Sequence, residues 1–500
     1  MSDGKGIGQV IVLSGGSGYN NLVGATPSAI YVMPVSDNGG SSSEIIRVMG
    51  GPSIGDIRSR LARLAAIAAS KNHRASQLGN AESREAMSDL LSYRLPLHGS
   101  HKEIKQEWMD ILEGKHRLWR GIDPEKRECV RGFLVYFQSE VLHRAHRNFN
   151  FRGGSIGNFF LASMQRFFRS IQSAIFLFSS ISEIPHAMKS CDVLPAINTN
   201  KTTTIAAELA DGSILVGQCE ISHPSYEVIR RSRMSTHTRP LRRLSELQDS
   251  VFGFGPQGTE EQLQQLRMRS LGSMSDARTS SSALSLEDSD DSADDQLLDD
   301  EPLEMPELFE SVGNISYVPK EDAMPLPAPI ERVFYVNSYR NEVFPLPNPS
   351  YLVGLQRSRV LIYSCGSLWT SIIPCLILRG VPHAIARSPS LKYKILLLNS
   401  KHDRETHRMT GIGFVNAILR SLKKIHEIDM AGEENAFAVT DIITHVIYVR
   451  QGDVWPCIDE LGEIGIQCYG VDCADIREPF ITEAQLRQAL QDIAGNTDPA

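Results

Sequence analysis

Several features that would announce a familiar chemistry are missing from this chain. Its eight cysteines, Cys129, Cys191, Cys219, Cys365, Cys375, Cys457, Cys468 and Cys473, include no Cys-x-x-Cys pair, which argues against a zinc site and a disulfide framework. They are expected to be reduced, mostly buried thiols. No Gly-Lys-Ser/Thr follows a glycine-rich stretch, so there is no lysine-based loop for a triphosphate. Lysine and arginine total 51 against 59 aspartates and glutamates, a net charge of −8. Much of that imbalance sits in one acidic run from Glu287 to Glu301. The rest is close to neutral and lacks the basic face that tracks nucleic-acid phosphates, so DNA and RNA are set aside as partners. The most apolar stretch, Ser170 to Ile184, is interrupted by Gln172 and serines and is too short to span a bilayer, which predicts a buried helix and no membrane partner. The residues before the first strand, Met1 to Gly8, are polar and lack the apolar stretch of a secretory signal. The expected compartment is the cytoplasm.

The chain does have 500 residues, 41% of them hydrophobic, enough for at least one large core. Strand and helix patterns alternate from the start: strands at Gln9–Leu13 and Ala29–Val35, a helix from Tyr19, and helices at Ile57–Ser70, Glu82–Leu91 and Asn158–Phe168. The charged stretch His101–Arg120 reads as an exposed, helix-bearing insertion. Asp211 and Gly212 between two β-rich runs predict a hairpin with a type I′ turn. From about Arg231 the composition turns basic and then Ser/Asp-rich, and its centre, Pro256–Pro329, cannot bury enough apolar surface to offset ordering entropy. Strand and helix alternation resumes at Arg332, with a strand at Arg359–Tyr363 and a helix at Leu368–Leu378. The expected fold is α/β: a three-layer, Rossmann-like, mostly parallel sheet with helices on both faces, plus a long disordered insertion. Residues 1–230 form the first part of that domain, 231–330 the insertion and 331–500 the second part, with one sheet built from both flanks.

Five stretches carry the candidate chemistry. Ser14, Gly15, Gly16, Ser17 and Gly18 lie between a buried strand and a helix, where glycines let backbone amides approach an anion; a tight turn without a ligand is the alternative. After the next strand come Asp37, Asn38, Gly39, Gly40, Ser41, Ser42 and Ser43. Asp37 reads as a ligand or metal contact, as a ribose contact in a nicotinamide site, or as an Asx-turn. In Gly55-Asp56-Ile57-Arg58, Asp56 is suited to cap the helix, and Arg58 either reaches a phosphate or stands exposed on the helix. Gly153, Gly154, Ser155, Gly157 and Asn158, and then Gly366, Ser367, Thr370 and Ser371, repeat the pattern of small or hydroxyl residues at a helix start. Together they make a bound diphosphate the expected ligand.

In their order, these five motifs resemble the CofD-like family, which includes the 2-phospho-L-lactate transferases and the YvcK-type gluconeogenesis factors. The resemblance runs from Ser14 to Ser371. It implies that Gly15, Gly16, Ser17, Gly18, Gly39, Gly40, Ser41, Arg58, Ser155, Gly157, Asn158, Gly366, Ser367, Thr370 and Ser371 bind nucleotide or phosphate. It also implies that Asp37 is the catalytic and Mg²⁺-holding carboxylate. Asn38 stands where the family usually has a second acid, and Cys365 where it usually has proline; the first departure brings the chain nearer the YvcK side. The implied ligand is a nucleotide diphosphate or nucleotide sugar. The implied activity is a metal-assisted, phosphodiester-forming transfer, with a non-catalytic regulator of carbon metabolism as the alternative; a nicotinamide-dependent oxidoreductase is the further alternative that the spacing of Asp37 alone leaves open. A homodimer and a kinase acting on the insertion, at Arg242-Arg243-Leu244-Ser245, complete the expected partners.

Overall fold

The structure, a computed structural model, describes residues 7–71, 78–188, 191–222, 325–429, 437–473 and 479–495. Its centre is a seven-stranded, wholly parallel sheet of β1 (Val10–Leu13), β2 (Ile30–Met33), β3 (Asp192–Pro195), β8 (Val360–Tyr363), β9 (Tyr393–Leu397), β10 (His445–Val449) and β11 (Gln467–Val471). The order across the sheet is β11-β10-β9-β8-β1-β2-β3. Chain order thus runs outward in both directions from the β1–β8 pair, whose register is Val10 to Val360 through Leu13 to Tyr363. That pair is the topological switch point, and in open α/β sheets the carboxyl ends of the strands at the switch point flank the ligand crevice. Both strands are continuous apolar runs, buried at every position, as strands covered on both faces must be.

The hairpin belongs to a different sheet from the one expected. β4 (Thr204–Leu209), β5 (Ile214–Val216), β6 (Ile330–Val336) and β7 (Glu342–Val343) form a separate antiparallel sheet in the order β5-β4-β6-β7. β4 and β6 pair from Thr204 with Val336 to Leu209 with Ile330, which ties together the two flanks of the 223–324 stretch. The turn is also not type I′, which needs two residues of positive φ. Only Gly212 has it, at +81°. Asp211 instead accepts the Ser213 N–H at 2.9 Å, and the Leu209 N–H bonds the Ser213 carbonyl at 2.9 Å across a three-residue loop.

The helices that matter for the site are α1 (Gly40–Met49), α2 (Gly55–Lys71), α3 (Leu78–Ser92), α4 (His101–Leu112), α5 (Pro124–His143), α6 (Ile156–Phe168) and α7 (Ile171–Ile181). The charged stretch holding α4 is not simply exposed. A Ser100–Glu103 capping box starts the helix, and Ile104, Trp108 and Ile111 are buried along one face. Trp108 packs against Phe137 of α5 and Phe159 of α6, so this stretch shares the main core. α7 is only half buried, since Phe176 is 72% exposed, and no helix among the described residues is long and apolar enough to cross a membrane. Two of the eight free cysteines are buried, Cys375 and Cys457, while Cys129 is exposed, fewer buried thiols than expected. Of the predicted disordered stretch, 256–324 lies outside the described residues, as do Arg239, Arg242, Arg243 and Ser245. Its end does not fit that reading, because Leu326 and Ala328 pack on the core and the Pro329 carbonyl accepts the Ala210 N–H at 2.9 Å.

Candidate functional site

The first glycine loop leaves β1 at the switch point. It leads not into the expected α-helix but into a six-residue 3-10 turn, Asn20–Ala25, too short for much of a helix dipole. The loop is instead held by α2, whose residues 56, 59, 60 and 63 recur at helical spacing on one face. Asp56, in the first turn of α2 rather than at its cap position, lies against Gly16: a methyl group there would come within 2.4 Å of its Oδ1. The Ser59 hydroxyl donates to the Gly16 carbonyl at 2.8 Å, Arg60 Nη2 to the Gly15 carbonyl at 3.2 Å, and Arg63 Nε to the Asn20 carbonyl at 2.9 Å. All the peptides among the described residues are trans. In a trans peptide the N–H points opposite the carbonyl, so the amides of Gly16 and Ser17 face away from α2. Gly15 and Gly16 are buried, while Ser17 and Gly18 are exposed.

The loop after β8 meets the first loop backbone to backbone. A methyl group on Gly18 would lie 2.5 Å from the Cys365 carbonyl oxygen, and one on Gly15 would lie 2.4 Å from Ser371 Oγ. Asn399 Nδ2 holds the Gly366 carbonyl at 2.9 Å, which turns the Ser367 amide the other way by the same geometry. The next helix opens as a π-turn, Leu368–Ile372, before an α segment Ile373–Leu376. Its first amides are not open to a ligand phosphate. The N–H groups of Trp369 and Thr370 bond Glu405 Oε2 at 3.2 and 3.1 Å, the Thr370 hydroxyl bonds Oε1 at 2.6 Å, and the Ser222 hydroxyl also donates to Oε1. Thr370 is fully buried and anchors the loop, while Gly366 faces open space, since a methyl there would meet nothing within 4 Å.

The second loop brings its own groups alongside. Asp37 Oδ1 accepts the Gly39 N–H at 2.8 Å, the Asx-turn among the alternatives for it, while Oδ2 lies 3.7 Å from where a methyl on Gly55 would sit. Gly40 needs its positive φ of +54° to enter α1. Asn38 is turned elsewhere. Its Oδ1 accepts the Cys219 N–H at 3.0 Å, and its Nδ2 lies 2.8 Å from a Cβ position on Gly217. It fixes the short helix Gln218–Ser222 and does not act as a second ligand beside Asp37. Burial pushes the Cys219 thiol well up, with Asp37 adding to the effect.

Arg58 is not an exposed helical arginine, being 9% exposed. Its Nε donates to Asn158 Oδ1 at 2.9 Å, and Asn158 Nδ2 donates to Ser41 Oγ at 2.6 Å. Burial, with repulsion from Arg94, lowers its guanidinium to about 10 against partial compensation by Asp56. The fourth motif therefore supports the site from beneath. Ser155 is the N-cap of α6, accepting the Asn158 N–H at 3.4 Å. Gly157 is needed for close packing, since a methyl there would fall 2.3 Å from the Leu91 carbonyl.

Two carboxylates border the loops, Asp37 beside Gly55 and Asp56 against Gly15 and Gly16. Among the described residues no three His, Cys, Asp or Glu side chains gather to hold a metal. That still fits Mg²⁺, which commonly takes one or two carboxylates and completes its shell with phosphate oxygens and water. A cleft of about 340 Å³ lined by Lys392, Tyr393, Thr444, His445 and Gln467 opens at the opposite, amino ends of β9 to β11, far along the strands from every glycine loop. Sequence reasoning missed Glu405, Asn399 and Arg60. The α2 face could have been found from the spacing of its residues, but Glu405 sits in an irregular segment with no periodic signal.

The family model described as 2-phospho-L-lactate transferase CofD matches residues 10–455. A yeast relative, the uncharacterized protein YNL011C of Saccharomyces cerevisiae, is 30% identical over 496 residues, covering 96% of this chain and 98% of that one. Among solved structures, the UPF0052 family member BH3568 of Bacillus halodurans superposes with a TM-score of 0.52 at 15% identity, covering 97% of this chain and 99% of that chain, which is a likeness of fold.

Proposed function

This chain belongs to the CofD family, and from that premise we propose that its switch-point crevice binds the diphosphate of a nucleotide-linked ester and transfers the distal phosphoryl-bearing group to an acceptor hydroxyl. The observation that carries this reading is the tied-back first loop, whose Gly15 and Gly16 carbonyls are held by α2 so that the next amides face the crevice. Preorganised N–H donors of this kind stabilise phosphate charge without reorganising during reaction. Gly18, Gly366 and Ser367 frame the same opening, and Arg58 and Ser41 stand at its flank.

In the transfer, the acceptor oxygen bonds to the distal phosphorus, the bridging P–O bond breaks, and a nucleoside monophosphate leaves with the electron pair. The acceptor proton passes to the Asp37 carboxylate. A bound Mg²⁺, held by Asp37 and the phosphates, would neutralise charge on the diphosphate. Asp37 orients the acceptor, and the buried flank of Arg58, Asn158 and Ser41 excludes water. Calorimetry with UDP, GDP and UDP-sugars, with and without Mg²⁺, tests the binding, and ³¹P NMR for released nucleoside monophosphate tests the transfer. Absence of binding to all of them overturns the reading.

A second reading is favoured by one observation, the commitment of Asn38 to Cys219. Without a second acid beside Asp37 in its own loop, the same pocket serves as a sensor that binds a nucleotide sugar without turning it over. Tight binding with no monophosphate released over hours would select it.

A further inference from the structure

The first loop has no lysine to face a phosphate, yet a cation lies directly behind it. Arg60 is fully buried. Its guanidinium lies over Tyr31 at 4.8 Å and Tyr19 at 5.5 Å from the ring centroids. Nη2 donates to Ser14 Oγ at 3.0 Å and to the Gly15 carbonyl at 3.2 Å. Nε and Nη1, both buried, have no hydrogen-bond partner among the described residues. Tyr19 and Tyr31 share their hydroxyl bonds with Thr26, so the ring faces, not phenolates, surround the charge. Asp56 acts on it only through space.

A buried charge held by a carbonyl, a hydroxyl and two ring faces is costly, because an ion without a full set of hydrogen bonds or a paired counter-ion is poorly compensated for lost solvation. Structure alone does not require it: an apolar side chain of similar volume would fill the space between two tyrosines. What the charge adds is a positive potential beneath the loop, in surroundings where water screens little. We propose that Arg60 is the positioning residue that gives this loop its selectivity for a diphosphate over a monophosphate, acting through the loop without touching the ligand. The inference rests on the nucleotide reading above and names what within that site discriminates ligand charge.

The test compares wild type, Arg60→Met and Arg60→Lys by calorimetry against uridine, UMP and UDP, and against the guanosine series. For charges roughly 8 Å apart at an effective dielectric of about 20, the attraction is worth about 2 kcal/mol, which is about a 30-fold change in affinity. Arg60→Met is therefore expected to weaken diphosphate binding about 30-fold and monophosphate binding less, and to leave nucleoside binding within about twofold. Arg60→Lys should restore part of the diphosphate affinity because it keeps the charge. Equal losses across nucleoside, monophosphate and diphosphate would mean that Arg60 only props the loop, and unchanged diphosphate affinity would mean that its charge is not felt; either overturns the inference. Thermal melts of each variant check folding, and if Met at this position unfolds the chain the neutral but hydrogen-bonding Arg60→Gln carries the comparison with the same expected losses. Inorganic pyrophosphate separates the two ideas. If wild type binds pyrophosphate and Arg60→Met does not, while no nucleotide binds, the nucleotide reading falls and the charge role stands. If wild type binds neither, both fall.

Discussion

Gly16→Ala should cost stability and ligand affinity together, for a reason visible in the packing of the loop. A methyl group on Gly16 would lie 2.4 Å from Asp56 Oδ1 and 2.7 Å from Asp56 Cα. The second contact is with helix backbone, which cannot swing aside as a side chain would. Relieving it means moving the loop off α2, which gives up the Ser59 bond to the Gly16 carbonyl. Overpacking of this kind costs about 1–3 kcal/mol, and a lost hydrogen bond about 1 kcal/mol more. The expected destabilisation is therefore about 2–4 kcal/mol, the sum of those two effects. A shift of about 1 Å in a positioning loop costs on the order of 100-fold in rate, so transfer should fall by at least that much. Gly366→Ala is the control: its methyl would meet nothing within 4 Å and should change stability by under about 0.5 kcal/mol. Because that methyl stands in the crevice, ligand affinity should still fall. Denaturant unfolding and calorimetry with UDP and GDP read both quantities. If Gly16→Ala keeps wild-type stability and affinity, the loop is not clamped by α2 and the reasoning fails.

Asn38→Asp is expected to leave Mg²⁺-dependent binding unchanged, because the position spends its side-chain oxygen on the Cys219 N–H; a clear tightening with magnesium, seen by calorimetry, would show that the residue can turn toward the metal. Glu405→Gln removes the charge that holds two amides and two hydroxyls and should destabilise by about 2–3 kcal/mol, the scale of bonds to a charged group, read by denaturant unfolding; a loss under about 0.5 kcal/mol, the range of ordinary surface changes, would mean the cluster contributes nothing. Arg58 is held down to about 10 by burial, below the range of a solvated guanidinium. Its folded-state depression means that the cost of burying the charge is present at neutral pH and is relieved as pH rises above about 10. Phosphate binding follows the charge and should weaken across the same window. The drop in affinity between pH 8 and 10.5 should be larger in wild type than in Arg58→Gln, and equal pH profiles would remove Arg58 from the site.

The central strands were legible because they are buried on both faces: β1 and β8 read as continuous apolar runs. The edge strands were not. β3 carries exposed Asp192, and β11 is only half buried over most of its length, so neither has the apolar density that marks a strand. The 20-residue α5 was passed over for a related reason. Only Val130, Leu134, Phe137 and Val141 are buried along it, a narrow stripe within a charged sequence. The five motifs stand out along the sequence, but their local roles do not. Ser155, Gly157 and Thr370 belong to the pattern as fully as the exposed Gly18, yet they are buried and spend their groups on packing and capping. Small residues at a helix start are needed equally for a cap, a close approach and an anion cradle, and only the direction of the backbone separates these.

That direction is set by α2, which makes the helix rather than the glycine loop the organising element of the crevice. Glycine permits the first loop to lie against Asp56, and Ser59, Arg60 and Arg63 fix which way its carbonyls point. The same helix carries Arg58 and Arg60, two buried guanidiniums two residues apart on different faces. One joins Asn158 and Ser41 at the flank, and the other lies beneath the loop between tyrosine rings. Neither has the mobility of an exposed lysine. A site charged in this way cannot relax by moving a flexible side chain, so it favours a ligand that brings a fixed number of negative charges to a fixed place. Binding and turnover are thereby separated. On the proposed reading, charge recognition belongs to α2 and does not involve Asn38, whose side chain is committed to Cys219, whereas proton acceptance would fall to Asp37.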